Sequence, residues 1–562
     1  MQGTSPAVFT DSYKLSHKGF MEPGTEVIYS NATARSDKHF VARNLKGYDG
    51  KAVVFGLQYF IKDFLIDYWN INFFSQPKEK AIGKFKRTID AYLGPGAVSM
   101  QHFEQLHDLG YLPIRLKSLP EGSRVNMRVP YSTIQNTHKD FAWLTNYLET
   151  IWSCETWKPM TTATICYYIR KALNEAAIKT TGSIEGTQFQ MHGFEFRGMS
   201  GRQDAMVNAA AMLLSTNGTD TIPALPFVEE FYNVDITKEF IATSVPATEH
   251  MVACGGSAVR GELESYRKWI TEDYPTGIVS LVSDTYDYWK VLSEYLPALK
   301  QDIMNRPVNA LGLSKVVIRP DSGDPYRVIC GYDISTEEFS SVKEAREYVY
   351  DNWAYDHKDN TEIIKIDDKY YLVLVEFEYT YYSSDSSDIF NVEFIEISKA
   401  EAIGSIRTLW EVFGGTINPF GYKVLDSHIG LIYGDSITPE LLQKILDGLI
   451  RLGFATTSIV FGVGSYTMNY NTRDSLGIAV KATYQEVNGI GYELFKAPKT
   501  DSGMKNSAKG LLRVEFEDGN FVLHEQQTKE QEEQGCLKTV FENGKLIVNE
   551  SFDTIRNRLW SN

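Results

Sequence analysis

The chain has 562 residues, a length that predicts roughly two to four domains of ordinary size. Hydrophobic residues make up 43% and charged residues 23%, which excludes wholesale disorder, collagen-like repeats and a coiled-coil rod. The net charge of −16 argues against a general nucleic-acid binder, which needs a basic surface. A small anionic substrate in a local basic pocket stays compatible with this charge.

No apolar stretch of the sequence is long enough to cross a membrane. A bilayer requires about 18–20 apolar residues, and residues 53–69 are interrupted by Lys62, Asp63 and Asp67. The first residues lack a basic stretch followed by an apolar one, so we expect no signal peptide. The five cysteines are an odd number without a CxxC pair. This favours free thiols and a cytoplasmic protein without a membrane or nucleic-acid partner.

The predicted elements alternate between helices and short strands. Apolar residues at helical spacing predict amphipathic helices over residues 57–68 and 141–152. A threonine cap and a proline at the first helical position predict another helix that begins at Pro439 and stops at Gly453. Short apolar runs predict four strands, at residues 277–283, 315–319, 428–433 and 458–461. Strand, polar loop and helix in repeated order predict a parallel α/β sheet or barrel.

Residues 331–402 interrupt this alternation with an acidic, β-rich segment. The segment contains 18 Asp and Glu against six Lys and Arg, so it carries most of the net negative charge. The pattern predicts a helix over 339–353, a hairpin turn at Asp367-Asp368, and strands at 362–366, 370–382 and 389–398. We interpret it as a small subdomain inserted at the surface. Either it has no catalytic role, or it serves as an interface or regulatory element.

The loops after the first two predicted strands carry charged residues suited to an active site. In parallel α/β folds, the carboxyl ends of the strands meet at one edge. Asp284 follows the first strand, either as a site carboxylate or as the cap of a helix over 286–300. Arg319 and Asp321 follow the next strand, and their spacing of two places both on one face. Such a pair suits a phosphate, an aromatic ring or a cation, the alternative being a surface ion pair.

Glycines follow the other two predicted strands. Gly434-Asp435 comes after the third strand, and Gly462-Val-Gly464-Ser465 comes after the fourth. Glycines at such positions let backbone N–H groups approach an anion closely. With Arg473 and Lys481 downstream, the pattern predicts a phosphate cradle. The sequence contains no P-loop, no complete dinucleotide-binding glycine pattern, no HExxH and no GxSxG.

Three further segments contribute candidate site residues. His250 lies beside Glu249 and before a run of small residues, which favours an active-site histidine over a structural one. Phe194 and Arg197 suit a ring face and an anion-binding fork, although Phe194 alone would also fit a core. Asp220 lies in a glycine-bounded loop where it could accept N–H donors. The whole set suits chemistry on a phosphorylated sugar through a sugar cation, with Mg²⁺ held by substrate phosphates and one or two carboxylates.

The polar strings resemble those of the nicotinamide phosphoribosyltransferases, a type II phosphoribosyltransferase family. The matching strings occur in the same order from Asp11 to about Lys509: TDSYKLSH (10–17), FGLQY (55–59), FRG (196–198), GTDT (218–221), SVPATEH (244–250), SDTYD (283–287), IRPDSG (318–323), GD (434–435) and TRD (472–474). The resemblance implies an α/β fold, an incomplete, irregular α/β barrel beside an α+β domain built from both chain ends. We expect this terminal domain at 1–160 with 490–562, the barrel-like catalytic domain at 161–489, and the β-rich acidic insertion at 331–402.

The resemblance implies transfer of phosphoribosyl from phosphoribosyl pyrophosphate to nicotinamide, which gives nicotinamide mononucleotide and pyrophosphate in NAD biosynthesis. Mg²⁺ would assist, and ATP would act as a co-substrate that phosphorylates His250 and drives the reaction forward. The pyridine ring would lie between Phe194 and Arg319, with Tyr13 nearby, and Asp220 would accept the carboxamide N–H. Because a carboxylate accepts an amide donor and repels a carboxylate, Asp220 would favour nicotinamide over nicotinate.

The remaining roles are implied in the same way. Catalysis falls to His250, Asp284 and Asp321, and the two aspartates would lie near the ribose and the metal. Phosphate and ribose binding is implied for Arg35, Arg197, Arg319, Gly434, Asp435, Gly464, Ser465, Arg473, Lys481 and Lys509. A homodimer with shared active sites is implied, in which the residues reaching the neighbouring subunit are Asp11, Tyr13, Arg473 and Lys481.

One departure from the family concerns the phosphate cradle. Relatives have consecutive glycines there, whereas Ser465-Tyr466 follows Gly464 in this chain, so the geometry of the cradle needs a structural test. Two other functions stay open at this point. One is nicotinate phosphoribosyltransferase activity, against which Asp220 argues. The other is a non-catalytic ligand-binding homologue, for which we would expect damage at residues such as His250 or Arg319.

Overall fold

The structure is a computed structural model of the chain, and it describes residues 3–353, 362–378, 388–434, 436–496 and 507–561. These residues belong to two compact units with different sheets. Unit 1 comprises Met1–Lys171, Glu195–Ala242 and Thr467–Asn562. Unit 2 comprises Ala172–Phe194 and Thr243–Tyr466. The segments 161–171, 195–242 and 467–489, which the domain prediction includes in the barrel-like domain, instead belong to unit 1 with the chain ends.

Unit 2 is built on a curled parallel sheet that forms a half-barrel. Its strands pair in parallel in the order Met191–Gly193, Ile459–Val463, Ile429–Tyr433, Ser314–Arg319 and Gly277–Val282. The register joins Val282 to Arg319, so the carboxyl ends of these two strands lie side by side. All four predicted strands are confirmed, and the fifth, Met191–Gly193, was too short to be recognised. The expectation of a mixed α/β fold with an incomplete barrel is confirmed.

Helices follow the strands of unit 2, as the alternation predicts. The helix Pro439–Arg451 begins where predicted, because the Thr438 hydroxyl accepts the Leu441 N–H at 3.2 Å. After the Gly277–Val282 strand, the helical segments are Tyr288–Lys290, Val291–Tyr295 and Leu296–Met304. The other helices of this unit outside the insertion are His250–Arg260, Glu262–Lys268, Trp269–Asp273, Pro325–Cys330 and Ser405–Phe413, with short turns at Thr187–Phe189 and Thr456–Ser458. A separate hairpin pairs Gly415–Ile417 with Lys423–Leu425.

The acidic insertion folds as a four-stranded sheet with a helix. The strands pair in the order Asp333–Phe339, Glu362–Ile366, Lys369–Glu378 and Asp388–Ile397. The helix Val342–Asn352 contributes Ala345 and Val349 to a core shared with Ile364 and Val373. Asp367 and Asp368 both have positive φ, 50° and 61°, which confirms the predicted hairpin turn. The sequence pattern did not predict the first strand, and residues 379–382 of the predicted second strand lie outside the described residues.

The insertion leaves and re-enters the half-barrel at two glycines that touch. Gly331 and Gly404 have φ of 74° and 79°. A methyl group on Gly404 would lie 2.3 Å from the Gly331 nitrogen, so the close approach requires glycine. The short helix Lys399–Ile403 leads back to this junction.

Unit 1 contains a seven-stranded antiparallel sheet assembled from distant parts of the chain. Its strands follow the order Ile490–Glu493, Ala479–Val487, Thr25–Thr33, Pro130–Asn136, Ile114–Ser118, Lys538–Glu542 and Lys545–Leu546. Two separate antiparallel pairs accompany it: Lys51–Val53 with Arg124–Asn126, and the hairpin Leu511–Glu517 with Asn520–Gln527. A short strand, Gly218–Thr219, precedes Asp220.

Helices surround the sheet of unit 1. The predicted helix over 57–68 is observed as Leu57–Phe60, which continues as a π-helix over Ile61–Tyr68 and again over Asn70–Phe74. The predicted helix over 141–152 is divided between Ala142–Tyr147 and the first turn of Glu149–Thr181. The remaining helices and turns are Pro6–Val8, Ser12–Ser16, His17–Phe20, Lys78–Leu93, Gln101–Leu109, Lys139–Phe141, Phe196–Gly198, Arg202–Leu213, Ala224–Phe231, Arg473–Ser475, Lys529–Glu532 and Phe552–Trp560. Among the described helices, none combines the length and apolar character needed to cross a membrane.

Candidate active site

Asp284 lies at the centre of a hydrogen-bond cluster at the carboxyl edge of the unit 2 sheet. Its side chain is only 6% exposed, and Oδ2 accepts the Asp321 backbone N–H at 2.9 Å and the Ser322 hydroxyl at 2.6 Å. Its Oδ1 lies 3.2 Å from His250 Nε2. The alternative that Asp284 caps a helix is wrong, because the cap is Asp287, whose carboxylate accepts the Lys290 N–H at 3.0 Å. Asp284 therefore does not cap a helix, and its carboxylate orients His250 and the loop that contains Asp321 and Ser322.

His250 is the first residue of the helix His250–Arg260, and its side chain is 47% exposed. The segment before it is held against the sheet, because Thr248 N donates to Ser280 O and the Thr248 hydroxyl accepts the Val282 N–H. Exposure, a carboxylate on one ring nitrogen and a helix N-terminus are conditions that suit transfer of an anionic group to the imidazole.

Arg319 and Asp321 lie where the strand periodicity predicts. Arg319 Nη2 donates to Thr248 O at 2.9 Å, which fixes the guanidinium, while its buried Nε has no hydrogen-bond partner among the described residues. The loop itself is fixed by the buried Tyr433, whose hydroxyl donates to the carbonyls of Ser322 and Gly323 at 2.9 and 3.0 Å. A guanidinium has five N–H donors, so Arg319, fixed through one of them, keeps others for an anionic ligand.

The Phe194 ring and the side chains of Arg319 and Asp321 lie close together beside Gly434. A methyl group on Gly434 would lie 2.8 Å from Asp321 Oδ1, 3.6 Å from Arg319 Cδ and 3.8 Å from Phe194 Cε2. On Gly462, a methyl group would lie 2.5 Å from Phe194 Cδ2, so the ring rests directly on that glycine. The structure thus brings together an aromatic ring, a guanidinium and a carboxylate, three groups that the sequence analysis assigned to one site.

The predicted phosphate cradle does not depend on further glycines. Gly464, Ser465 and Tyr466 are absent from the described residues with positive φ, and Ser465 begins a short helix, Ser465–Met468. A methyl group on Gly464 would come no closer than 3.7 Å to another atom. The backbone therefore accepts the side chains of Ser465 and Tyr466 without strain. Asp435, predicted to bind the ribose, lies outside the described residues.

Unit 1 holds a polar cavity of about 340 Å³ that contains all four residues predicted to reach a neighbouring subunit. Asp11, Tyr13, Arg473 and Lys481 line it together with Arg35. Asp11 is held in place, because Oδ2 accepts the Thr150 hydroxyl at 2.7 Å and the Tyr13 hydroxyl at 3.2 Å. Seven lining residues were not predicted from the sequence: Glu149, Thr150, Ser153, Cys154 and Trp157 in the segment 149–157, and Ala479 and Val480 beside Lys481.

The charge in this cavity favours an anion. Burial lowers the pKa of Lys481 below its ordinary value. The positive charges of Arg35 and Arg473 lower this pKa further, against the opposing effect of Glu149. Glu149 is itself paired with the buried Lys14, at 2.9 Å. An anion such as a phosphate group stabilises cations that are crowded in this way when it binds between them.

The other predicted binding residues of unit 1 lie on turns. Arg197 is exposed in the turn Phe196–Gly198, and Asp220 is exposed after the strand Gly218–Thr219. The Arg197 turn is tied down by the Asn469 amide, which donates to Gly198 O. Lys158 lies 2.6 Å from Asn469 Oδ1 and 2.7 Å from Asp204 Oδ2. Lys509 places its ammonium 4.4 Å from the ring centroid of Phe495.

Asp284 and Asp321 are the two carboxylates of unit 2 that were predicted to bind a metal ion. Among the described residues, no group of three or more His, Cys, Asp or Glu side chains is arranged to hold a metal ion. Asp284 accepts the Asp321 backbone N–H, which places both residues in one site, and Mg²⁺ is commonly held by one or two carboxylates together with substrate phosphates. The residues present therefore fit a Mg²⁺ ion that arrives with a phosphorylated substrate.

The chain is similar in sequence to known phosphoribosyltransferases and similar in fold to a solved structure. Residues 189–545 match the nicotinate phosphoribosyltransferase (NAPRTase) family. A nicotinamide phosphoribosyltransferase of Acinetobacter baylyi is 47% identical over 555 residues, which cover 99% of this chain and 97% of the relative. Another, from Xanthomonas campestris pv. campestris, is 27% identical over 558 residues, 97% of this chain and 96% of the relative.

Among the solved structures that resemble the chain in fold, one covers the whole chain. It is the crystal structure of nicotinate-nucleotide pyrophosphorylase from Pyrococcus furiosus, with a TM-score of 0.50 and 12% sequence identity. The match covers 100% of this chain and 96% of that chain. At this identity the likeness concerns the fold alone.

Proposed function

The chain belongs to the nicotinate phosphoribosyltransferase (NAPRTase) family, and we propose that it transfers phosphoribosyl from phosphoribosyl pyrophosphate to nicotinamide. The convergence of Phe194, Arg319 and Asp321 on Gly434 carries this proposal. An aromatic face beside a fixed guanidinium suits a planar pyridine ring, and a carboxylate beside them suits a developing positive charge. The 47% identity to the Acinetobacter baylyi nicotinamide phosphoribosyltransferase supports the amide substrate.

The mechanism follows from the charges that the reaction creates. When the bond between the anomeric carbon and pyrophosphate breaks, the sugar becomes positive and the leaving group negative. The Asp284 carboxylate is oriented before the reaction by the Asp321 backbone N–H and the Ser322 hydroxyl, so it would stabilise the sugar cation without reorganising. The pyridine nitrogen of the bound nicotinamide then forms the new bond to this carbon. Mg²⁺ would neutralise the phosphates of the substrate when bound.

The cationic cavity of unit 1 is proposed to bind phosphate groups in the site of a second copy of the chain. Asp11, Tyr13, Arg473 and Lys481 line this cavity together, which supports the assignment of these four residues to one shared role. In this proposal the active protein is a homodimer, and the phosphates of phosphoribosyl pyrophosphate or ATP approach Arg473 and Lys481. Arg35 would contribute a third cation.

ATP is proposed to act through His250. The imidazole nitrogen would attack the γ-phosphorus, the bond to the β-phosphate oxygen would break, and ADP would leave. Water would later hydrolyse the phosphohistidine, so each cycle consumes one ATP. The contact of Nε2 with Asp284 at 3.2 Å and the exposure of the ring support this role, because the carboxylate orients the imidazole and ATP can reach it.

The proposed function is tested by measuring product formation with the purified full chain. The assay contains phosphoribosyl pyrophosphate and Mg²⁺ with either nicotinamide or nicotinate, each with and without ATP. Nicotinamide mononucleotide, formed from nicotinamide and increased by ATP, is the expected result. Turnover of nicotinate alone would replace the proposal by the sister activity. No turnover of either compound, in a protein that still binds them, would indicate a non-catalytic homologue.

A further inference from the structure

Glu195 is a completely buried carboxylate in unit 1 that the proposed reaction does not use. Its side chain and that of Thr221 are both 0% exposed, and Thr221 Oγ1 donates to Glu195 Oε1 at 2.7 Å. Glutamate is seldom fully buried unless a partner satisfies its charge, because removal from water is costly. A hydrogen bond of this kind holds both residues in one arrangement.

Each residue of this pair is adjacent to a predicted binding residue. Glu195 begins the turn that carries Arg197, since Gly198 N donates to Glu195 O at 2.9 Å. Thr221 directly follows Asp220, and its N–H donates to the Thr219 hydroxyl at 3.0 Å. Asp220 is exposed although its neighbour is buried. The buried Glu195–Thr221 bond therefore joins the Arg197 turn to the Asp220 loop.

We propose that Glu195 is a positioning residue that acts through Thr221 to fix Asp220, and thereby helps to set the preference for the amide over the acid form of the pyridine substrate. This inference rests on the proposed function. A carboxylate discriminates between an amide donor and a carboxylate only where its distance to the ligand is fixed. The charge of Glu195 is also felt in the surrounding core, since the pKa of the Cys166 thiol is raised by burial and further by Glu195.

Thr221→Val tests the inference because it keeps the shape of the side chain and removes the donor. We expect the ratio of kcat/KM for nicotinamide to that for nicotinate to fall about tenfold, since Glu195 Oε1 loses the Thr221 hydroxyl and the Asp220 loop shifts. Thr221→Ser keeps the hydroxyl and should restore the ratio to within about twofold of the wild type. Thr221→Ala replaces the valine variant if that protein does not fold.

Two further variants separate positioning from other effects. Glu195→Gln retains an acceptor oxygen, so the ratio should change less than about threefold. A change as large as that of Thr221→Val would overturn positioning in favour of a charge effect. In an Asp220→Asn background, Thr221→Val should leave the remaining ratio unaltered. A role in folding alone would lower the melting temperature and leave the ratio unchanged, and that result would overturn the inference.

The outcome is independent of the test of the proposed function. If the wild-type protein turns over nicotinate and not nicotinamide, the proposed function fails, and the effect of Thr221→Val on the ratio of the Kd values for the two compounds still decides this inference. If neither compound is turned over, the Kd values for nicotinamide and nicotinate from calorimetry replace the kinetic ratio. An unchanged Kd ratio in Thr221→Val would likewise overturn the role assigned to Glu195.

Discussion

Replacement of Gly462 by alanine should displace the Phe194 ring and impair binding of the pyridine substrate. The added methyl group would lie 2.5 Å from Phe194 Cδ2, 2.7 Å from Phe194 Cε2 and 2.8 Å from the Gly434 Cα. Favourable carbon contacts lie at about 3.5–4.0 Å, so the ring must retreat by about 1 Å. Gly462 has no positive φ, and alanine is therefore compatible with its backbone conformation. The effect expected from the substitution is steric.

The magnitude follows from two opposing contributions to the free energy of unfolding. Overpacking of a buried site costs about 1–3 kcal/mol. Alanine restricts the unfolded chain more than glycine and returns about 0.4–1 kcal/mol. We therefore expect a net loss of about 1–2 kcal/mol, too little to unfold an ordinary domain. The effect on activity should be larger, because a displacement of about 1 Å in an active site can reduce the rate about 100-fold.

The assay compares kcat/KM for nicotinamide with the stability measured by urea unfolding. Gly430→Ala is the matched control, since it lies in the neighbouring strand and its methyl group would meet the flexible Lys315 side chain at 3.1 Å. The control should retain kcat/KM to within about threefold. If Gly462→Ala keeps the wild-type kcat/KM, the position of the Phe194 ring against Gly462 does not determine substrate binding, and the reasoning is refuted. An equal loss in both variants would show that the sheet, and not the ring, is sensitive.

Three further predictions concern single side chains. His250→Ala should retain basal transfer and lose its stimulation by ATP, and undiminished stimulation would exclude the phosphohistidine. Asp220→Asn should narrow the preference for nicotinamide over nicotinate about tenfold in competition assays, because the fixed negative charge is lost, whereas an unchanged ratio would mean that the amide is recognised elsewhere. Because burial and neighbouring cations lower the pKa of Lys481, affinity for phosphoribosyl pyrophosphate should fall as the pH rises through that lowered pKa. Lys481→Arg should move this fall to higher pH in calorimetric titrations, and an unmoved profile would assign it to another group.

The sequence pattern predicted the elements that carry strong local signals. Each of the four long strands of the half-barrel has a continuous apolar run, and Pro439–Arg451 has both a cap and a stop. The strand Met191–Gly193 has only three residues and no apolar run, so its pairing with Ile459–Val463 depends on tertiary structure. The strand Asp333–Phe339 is acidic at the edge of its sheet, which removes the alternation that would reveal it.

The candidate site shows the same division between local and distant information. Strand spacing placed Arg319 and Asp321 on one face, and the structure brings both to Gly434. Spacing could not distinguish the carboxylate that caps a helix from the one that orients a histidine, because Asp284 and Asp287 both precede the helical segment. Nor could it reveal that Gly462 must lack a side chain, since the reason is the ring of Phe194, which is far away in sequence.

In the proposed mechanism, the hydrogen bonds around Asp284 would allow a short loop to stabilise a short-lived sugar cation. The Asp321 backbone N–H and the Ser322 hydroxyl donate to the same carboxylate oxygen of Asp284. The Tyr433 hydroxyl donates to the carbonyls of Ser322 and Gly323 in the same loop. The Asp284 carboxylate is thus oriented by contacts that exist before a substrate binds. A charge held in this way needs no reorganisation when the anomeric carbon becomes positive, so its full interaction lowers the barrier. The same contacts couple the two loops, so a change at Ser322 or Tyr433 should alter the position of the Asp284 carboxylate in the proposed mechanism.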